Sequence, residues 1–238
     1  VKTTEGTLLD GKIRYRQFAA GHRSGFEPVL LAAAVPAKPG ESVLEAGTGA
    51  GAALLCLAHR VPGLTGLGLE IDPVLTDLAT ENFKINGLET FSAITADAAH
   101  PPDQKFDHIL ANPPWHGAAS TNSPDAIRAL AHHAPPGLLS EWLAALTKAL
   151  KPEGSITLIL PAAALSEAAT ALRAARHGAL ALFPLWPRAG RPANQIIIAG
   201  RKGSKTQDKI LPGLILHGEQ GLTPAAEAVL RHGAGLAF

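Results

Sequence analysis

The chain has 238 residues and a 46% hydrophobic fraction, ample for one sizeable core. A formal net charge of only +1 excludes a uniformly basic nucleic-acid binder, and no apolar run approaches the ~20 residues that a bilayer-spanning helix needs. A single cysteine, Cys56, cannot form an internal disulfide, and the polar start Val1-Lys2-Thr3-Thr4-Glu5 does not read as a signal peptide, so a cytoplasmic location is expected.

In chain order, residues 8–15 read as a small hairpin with Asp10-Gly11 supplying its turn. Ser42-Val43-Leu44-Glu45-Ala46 reads as a strand entering a glycine-rich turn, Gly47-Thr48-Gly49-Ala50-Gly51, with a helix over residues 52–58 behind it. Glycines let a ligand approach the backbone, and a helix N-terminus offers free N–H groups to a carboxylate or phosphate. Nucleotide-binding folds of several classes share that pattern. Glu45 narrows it, because a carboxylate before the glycines sits badly beside a pyrophosphate and suits a ligand carrying an ammonium group. The methionine end of S-adenosylmethionine is such a ligand.

The next strand-like run, residues 65–72, carries Glu70 where Rossmann-like folds bind ribose hydroxyls; a solvated acid at a strand end is the plainer alternative. Pro73 opens a helix through Asn82 that Asn86-Gly87 ends. A third strand, residues 91–96, leads to Asp97, which can accept from an adenine amino group or simply cap a helix. Ile71 and Ala98, beside these two acids, complete the expected cofactor-binding set.

Residues 106–111 read as a buried strand, and Asn112-Pro113-Pro114-Trp115 follows at its end. The Asn112 side-chain oxygen and the Pro113 carbonyl can both accept from a planar NH2 group. The prolines fix φ and hold those acceptors in place, while Trp115 offers a face for a conjugated ring. Accepting both amine protons localises the nitrogen lone pair and makes it a better nucleophile. A Pro-Pro turn with Trp115 in the core is the alternative.

His132-His133 has no Cys or acid at metal-ligand spacing, and no metal is expected. Residues 140–146 read as a helix stopped at Pro152-Glu153-Gly154, residues 155–160 as a strand, and residues 164–175 as a helix. Residues 180–183 and 195–198 then form a final antiparallel pair. Between Arg173 and Lys209 stand Arg173, Arg176, Arg188, Arg191, Arg201, Lys202, Lys205 and Lys209 against the one acid Asp208. Such asymmetry suits phosphate contact on one face, or a solvated surface that happens to be basic.

Glu-Ala-Gly-Thr-Gly-Ala-Gly, Glu70, Asp97 and Asn-Pro-Pro-Trp occur in the order found in class I S-adenosylmethionine-dependent methyltransferases that modify amino nitrogens. The chain most resembles the bacterial tRNA(Val) adenine-N6 methyltransferase family. Arg23-Ser24-Gly25-Phe26-Glu27-Pro28-Val29-Leu30-Leu31-Ala32 matches that family's stretch before the first strand, and Pro187-Arg188-Ala189-Gly190-Arg191-Pro192-Ala193 matches its late segment. Arg201-Lys202-Gly203 and Leu211-Pro212-Gly213-Leu214 follow, so the likeness runs from about Leu8 to Leu230. Trp115 stands where Tyr or Phe is usual, and Glu45 and Glu27 where Asp is frequent.

The resemblance implies a Rossmann-like, doubly wound α/β fold with a seven-stranded, mostly parallel sheet, a short N-terminal hairpin and a C-terminal basic extension. A single domain is expected, with residues 1–40 as hairpin and helix, 41–160 as cofactor-binding core and 161–238 as the rest of the sheet and tail. The implied reaction moves a methyl group from S-adenosylmethionine to N6 of an adenosine in tRNA, with the anticodon loop of a valine tRNA as the expected place. Asn112, Pro113, Pro114 and Trp115 are the expected catalytic set. Glu45, Gly47, Thr48, Gly49, Gly51, Glu70, Ile71, Asp97, Ala98 and Asn112 are expected to bind the cofactor, and Arg23, Arg188, Arg191, Arg201 and Lys202 the RNA. Guanine N2 of ribosomal RNA and a protein glutamine amide are the alternative substrates. An NAD-dependent oxidoreductase would explain the glycines but not Asn-Pro-Pro-Trp, and a non-catalytic RNA-binding scaffold would retain the fold alone.

Overall fold

The structure is a computed structural model that describes residues 2–19, 25–114 and 137–238. The hairpin is longer than residues 8–15. β1 (Thr3–Leu8) pairs antiparallel with β2 (Ile13–Phe18), apart from the main sheet. The reversal uses left-handed backbone at Leu9, Asp10 and Gly11, so Asp-Gly does mark the turn. Helix α1 (Glu27–Ala34) has proline in its first turn and buries every residue from Val29 to Ala34.

The main sheet is built from β3 (Ser42–Ala46), β4 (Thr65–Glu70), β5 (Phe91–Thr95), β6 (Phe106–Ala111), β7 (Leu150–Pro161), β8 (His177–Arg188) and β9 (Gln195–Lys202). Their spatial order is β5-β4-β3-β6-β7-β9-β8. β3 to β7 run parallel, β9 is antiparallel to β7, and β8 is antiparallel to β9. The chain winds outward from β3 through β4 to β5, then returns to place β6 on the other flank of β3. That reversal is the point where open α/β sheets bind ligands, at the carboxyl ends of the strands.

The expected seven strands are present, and three more extend them. β10 (Lys209–Ile210) and β11 (Leu214–Gly218) both pair with β8, and β12 (Gly221–Leu222) pairs with β11. The C-terminal basic extension therefore continues the sheet edge. Gly213 makes the close approach possible: at φ +81, a Cβ there would lie 2.2 Å from the Pro184 carbonyl oxygen.

Successive strand residues point to opposite faces, and the two faces carry separate cores. Val43, Leu110, Ile159 and Ile197 pack with α1, α2 (Ala52–Arg60), α3 (Pro73–Ile85) and the late helix Pro224–Leu230. Leu44, Ile109, Leu158 and Ile198 pack with α4 (Leu138–Ala149) and α5 (Leu165–Ala174). Cys56 is free and buried in the first of these, and burial pushes its thiol up to about 12, so it is a packing residue.

One boundary differs from expectation. Helix α4 ends at Ala149, and Pro152-Glu153-Gly154 lies inside β7 instead of before it. Glu153 adopts φ +58, and the pairing jumps from Phe106↔Leu150 to His108↔Ser155. The turn residues mark a bulge, which a strand tolerates where a regular ladder does not. His132 and His133 lie outside the described residues.

Candidate active site

Strand register lines up the motifs. Ala46 pairs with both Leu69 and Ala111, so Gly47, Glu70 and Asn112 stand one step beyond that paired row at the ends of three adjacent strands. Glu70 pairs with Thr95, which puts Asp97 two residues past the next strand. At ~4.8 Å between strands, this row spans about 14 Å, room for a nucleoside with an amino-acid tail.

The glycine turn runs at φ +71, +54 and +86 for Gly47, Gly49 and Gly51. It is stitched to β4, since the Gly47 and Thr48 amides both donate to the Leu69 carbonyl at 2.9 Å. Glu45 is buried at 4% exposure and accepts from the Thr48 hydroxyl at 2.7 Å. Gly68 leaves the space this needs, because a Cβ there would meet the Thr48 side chain at 2.6 Å. Burial pushes the Glu45 carboxyl up to about 8, against the opposing bonds from Thr48 and the Leu54 backbone. No cation among the described residues pairs with it, so a ligand ammonium arriving there would favour the carboxylate over the protonated form and gain an ion pair.

Glu70, also buried, accepts from the Gly49 amide at 2.8 Å through Oε2 and from the Asp72 amide at 3.1 Å through Oε1. Each oxygen retains a lone pair for a hydroxyl. Ile71 beside it is 71% exposed, an apolar side chain free to cover a flat ring. Asp97 accepts from the Ala99 amide at 2.9 Å and caps a turn, not a helix; Ala98 is buried. Asn112 is exposed, Pro113 buried and Pro114 half-buried. Trp115 and Arg23 lie outside the described residues.

The basic candidates divide between the two ends of the sheet. Arg188 closes β8 and Gln195 opens β9 opposite Pro161, so Arg188 and Arg191 lie at the carboxyl edge with the motifs. Both are exposed, and Arg188 donates to the Gly218 carbonyl. Arg201 pairs with Ser155, six residues along β9 from Gln195, which is about 20 Å away at the opposite edge. Lys202 is there too, and its ammonium donates to the Thr147 and Leu150 carbonyls at 2.7 Å, capping α4. The structure thus does not bring Arg201 and Lys202 to the motif edge.

Glu27, outside the expected site residues, also reaches the motif edge, where its carboxylate accepts from Gln195 Nε2 at 3.0 Å. At the amino edge, His108 bridges Ser155 at 2.7 Å and Glu41 at 2.8 Å. The hydroxyl of that trio is buried and its carboxylate is the more open member, the reverse of a nucleophilic site. It clasps β6 and β7 to the chain entering β3. Among the described residues, no three His, Cys, Asp or Glu side chains are grouped to hold a metal ion.

The methyltransferase small domain family matches residues 27–163, from α1 through the end of β7 and the row of motifs. The chain belongs to this family. Residues 27–163 thus form a methyltransferase domain, of the class that takes S-adenosylmethionine as methyl donor. Among curated relatives, the tRNA1(Val) (adenine(37)-N6)-methyltransferase of Porphyromonas gingivalis is 31% identical over 156 residues, 61% of each chain. The protein of the same name from Aeromonas hydrophila is 30% identical over 203 residues, 79% of this chain and 83% of that one. The chain spans 61–66% of the length of the first three curated relatives. Among solved structures, a protein from Agrobacterium tumefaciens described as a predicted O-methyltransferase superposes with a TM-score of 0.74. It is 22% identical and the match covers 89% of this chain and 99% of that one, a likeness of fold.

Proposed function

We propose that this methyltransferase modifies the exocyclic N6 of an adenosine in tRNA, at the anticodon-loop position named for its relatives. The row formed by Asn112, Gly47 and Glu70 carries this reading, because it sets an amide acceptor beside the seat for a methyl donor. Glu45 receives the ammonium end of the cofactor, Glu70 the ribose hydroxyls, and Ile71 and Asp97 the adenine. Bound there, S-adenosylmethionine supplies an electrophilic methyl group on a sulfonium, which one in-line displacement passes to an amine. Asn112 Oδ1 and the Pro113 carbonyl would accept hydrogen bonds from the two amine N–H groups and orient the nitrogen lone pair; the thioether would leave with the S–C electrons, and the methylated nitrogen would shed one proton to water. Pro113 and Pro114 keep those acceptors from relaxing away. The target base must be unstacked to reach them, as in a loop, and Trp115 is assigned its stacking face. Arg188 and Arg191, at the same edge, are assigned the flanking phosphates. An enzyme of this kind would work in the cytoplasm; no helix among the described residues is long and apolar enough to cross a membrane.

The test is tritiated methyl transfer into total tRNA from a strain lacking this protein, followed by nucleoside analysis. N6-methyladenosine is the expected product. N2-methylguanosine, or label in protein, would replace the adenine assignment with one of the alternative substrates.

A further inference from the structure

Asn82, three-quarters of the way along α3, is fully buried at 0% exposure, and both ends of its amide are used. Its Oδ1 accepts from the Arg16 amide at 2.8 Å, and its Nδ2 donates to the Arg16 carbonyl at 2.8 Å and to the Ala50 carbonyl at 2.9 Å. One turn later, Asn86 clasps the main chain of Arg14 in the same two-bond way, at 3.0 and 2.7 Å. Four residues of helix rise about 6 Å and two residues of strand about 6.6 Å, so the paired amides match the spacing of β2. They stand in for a third strand along the hairpin.

Only Asn82 adds the bond to Ala50, and Ala50 belongs to the glycine turn. The same face of α3 also lies under that turn: a Cβ on Gly51 would meet Phe83 Cε1 at 2.8 Å and Ala79 Cβ at 3.5 Å. Gly47 and Thr48 are fixed by β4 and Gly49 by Glu70. A glycine backbone has many conformations open to it and must be held from outside. For the Ala50 carbonyl, the side-chain holder is Asn82.

We infer that Asn82 is a positioning residue for cofactor capture, setting the Ala50–Gly51 end of the glycine turn through a clasp shared with the N-terminal hairpin. The inference rests on the cofactor placement proposed above. A change at Asn82 should therefore act on S-adenosylmethionine binding beyond any effect on stability, whereas Asn86, which touches the hairpin but not the turn, should act on stability alone.

Calorimetric titration of S-adenosylmethionine into Asn82→Ala, Asn82→Asp, Asn86→Ala and Glu70→Ala tests this, with melting temperatures measured alongside. Asn82→Ala should weaken binding about tenfold (~1.4 kcal/mol) and raise KM for the cofactor while kcat at saturation holds. Asn82→Asp keeps the size and the acceptor for the Arg16 amide but loses the donor for both the Ala50 and the Arg16 carbonyls, and should weaken binding likewise even if the alanine variant fails to fold. Asn86→Ala should bind as the wild type does and melt lower. Wild-type affinity in a folded Asn82 variant overturns the inference, and so does an equal loss in Asn86→Ala. Glu70→Ala separates the two readings: if it also binds normally, the cofactor lies elsewhere, and if it alone binds weakly, only the role of Asn82 fails.

Discussion

Glu45 keeps its proton at a pH where the unfolded chain has lost it, and this gives stability a definite slope. Its folded value of about 8 lies above the ordinary 4.5 because burial disfavours the charge. The contribution is full below about 4.5 and is lost as pH rises through 8. Asp107 has the opposite sign. Although burial alone would raise it, bonds from Lys151 and Ser42 bring it down to about 2 from 3.8, so its contribution is present above 3.8 and lost as pH falls through 2. Melting curves across this range should show Glu45→Gln removing the decline toward pH 8 and leaving the acid limb intact. Catalysis is expected to answer to other residues. Asn112→Ala should cut kcat by about 10²–10³ with cofactor affinity nearly unchanged, and normal turnover by a folded variant would remove Asn112 from the mechanism. Glu70→Ala should weaken S-adenosylmethionine binding by roughly 1–3 kcal/mol, and titration of the purified variant reads this directly.

Among the elements, β8 and β9 divide the basic segment, and the division makes opposite predictions for its two halves. Replacing Arg188 and Arg191 together with Ala should raise the Kd for tRNA without moving that for S-adenosylmethionine. Each arginine–phosphate pairing removed should flatten the salt dependence by about 0.7–0.9 in slope. Lys202→Ala should instead lower the melting temperature by exposing two helix-end carbonyls, with the salt slope unchanged. An unchanged slope in the arginine variant, with reduced stability, would make Arg188 a brace between β8 and β11. This division was not legible in the sequence, because charge composition carries no direction and β9 runs against its neighbours. The strands and the Gly47–Gly51 turn were legible, being apolar runs closed by glycine or proline. Residues 152–154 misled because turn residues also build bulges. β10 and β12 were missed because two-residue strands have no period to detect, and Asn82 because a buried amide inside a helix looks like any polar residue.

Across the whole molecule, residues 209–238 complete what the middle of the chain begins. β10 and β11 cover the outer edge of β8, the Leu236 amide donates to the Ala33 carbonyl at 2.8 Å, and Phe238 stacks on Phe183 with ring centroids 5.2 Å apart. During synthesis, β8 is therefore made, and can pair with β9, while its far edge still has no neighbour. An uncovered strand edge is a template for joining another chain, and at ~5–20 residues per second the missing strands arrive only seconds later. A chain stopped at Asp208 should fold around the motif row yet self-associate through β8, visible as concentration-dependent sedimentation; a monomer would mean that the edge protects itself. Residues 209–238, which supply no group to the methyl transfer proposed for the site, would then act for this sheet as a built-in chaperone made after the strand it protects.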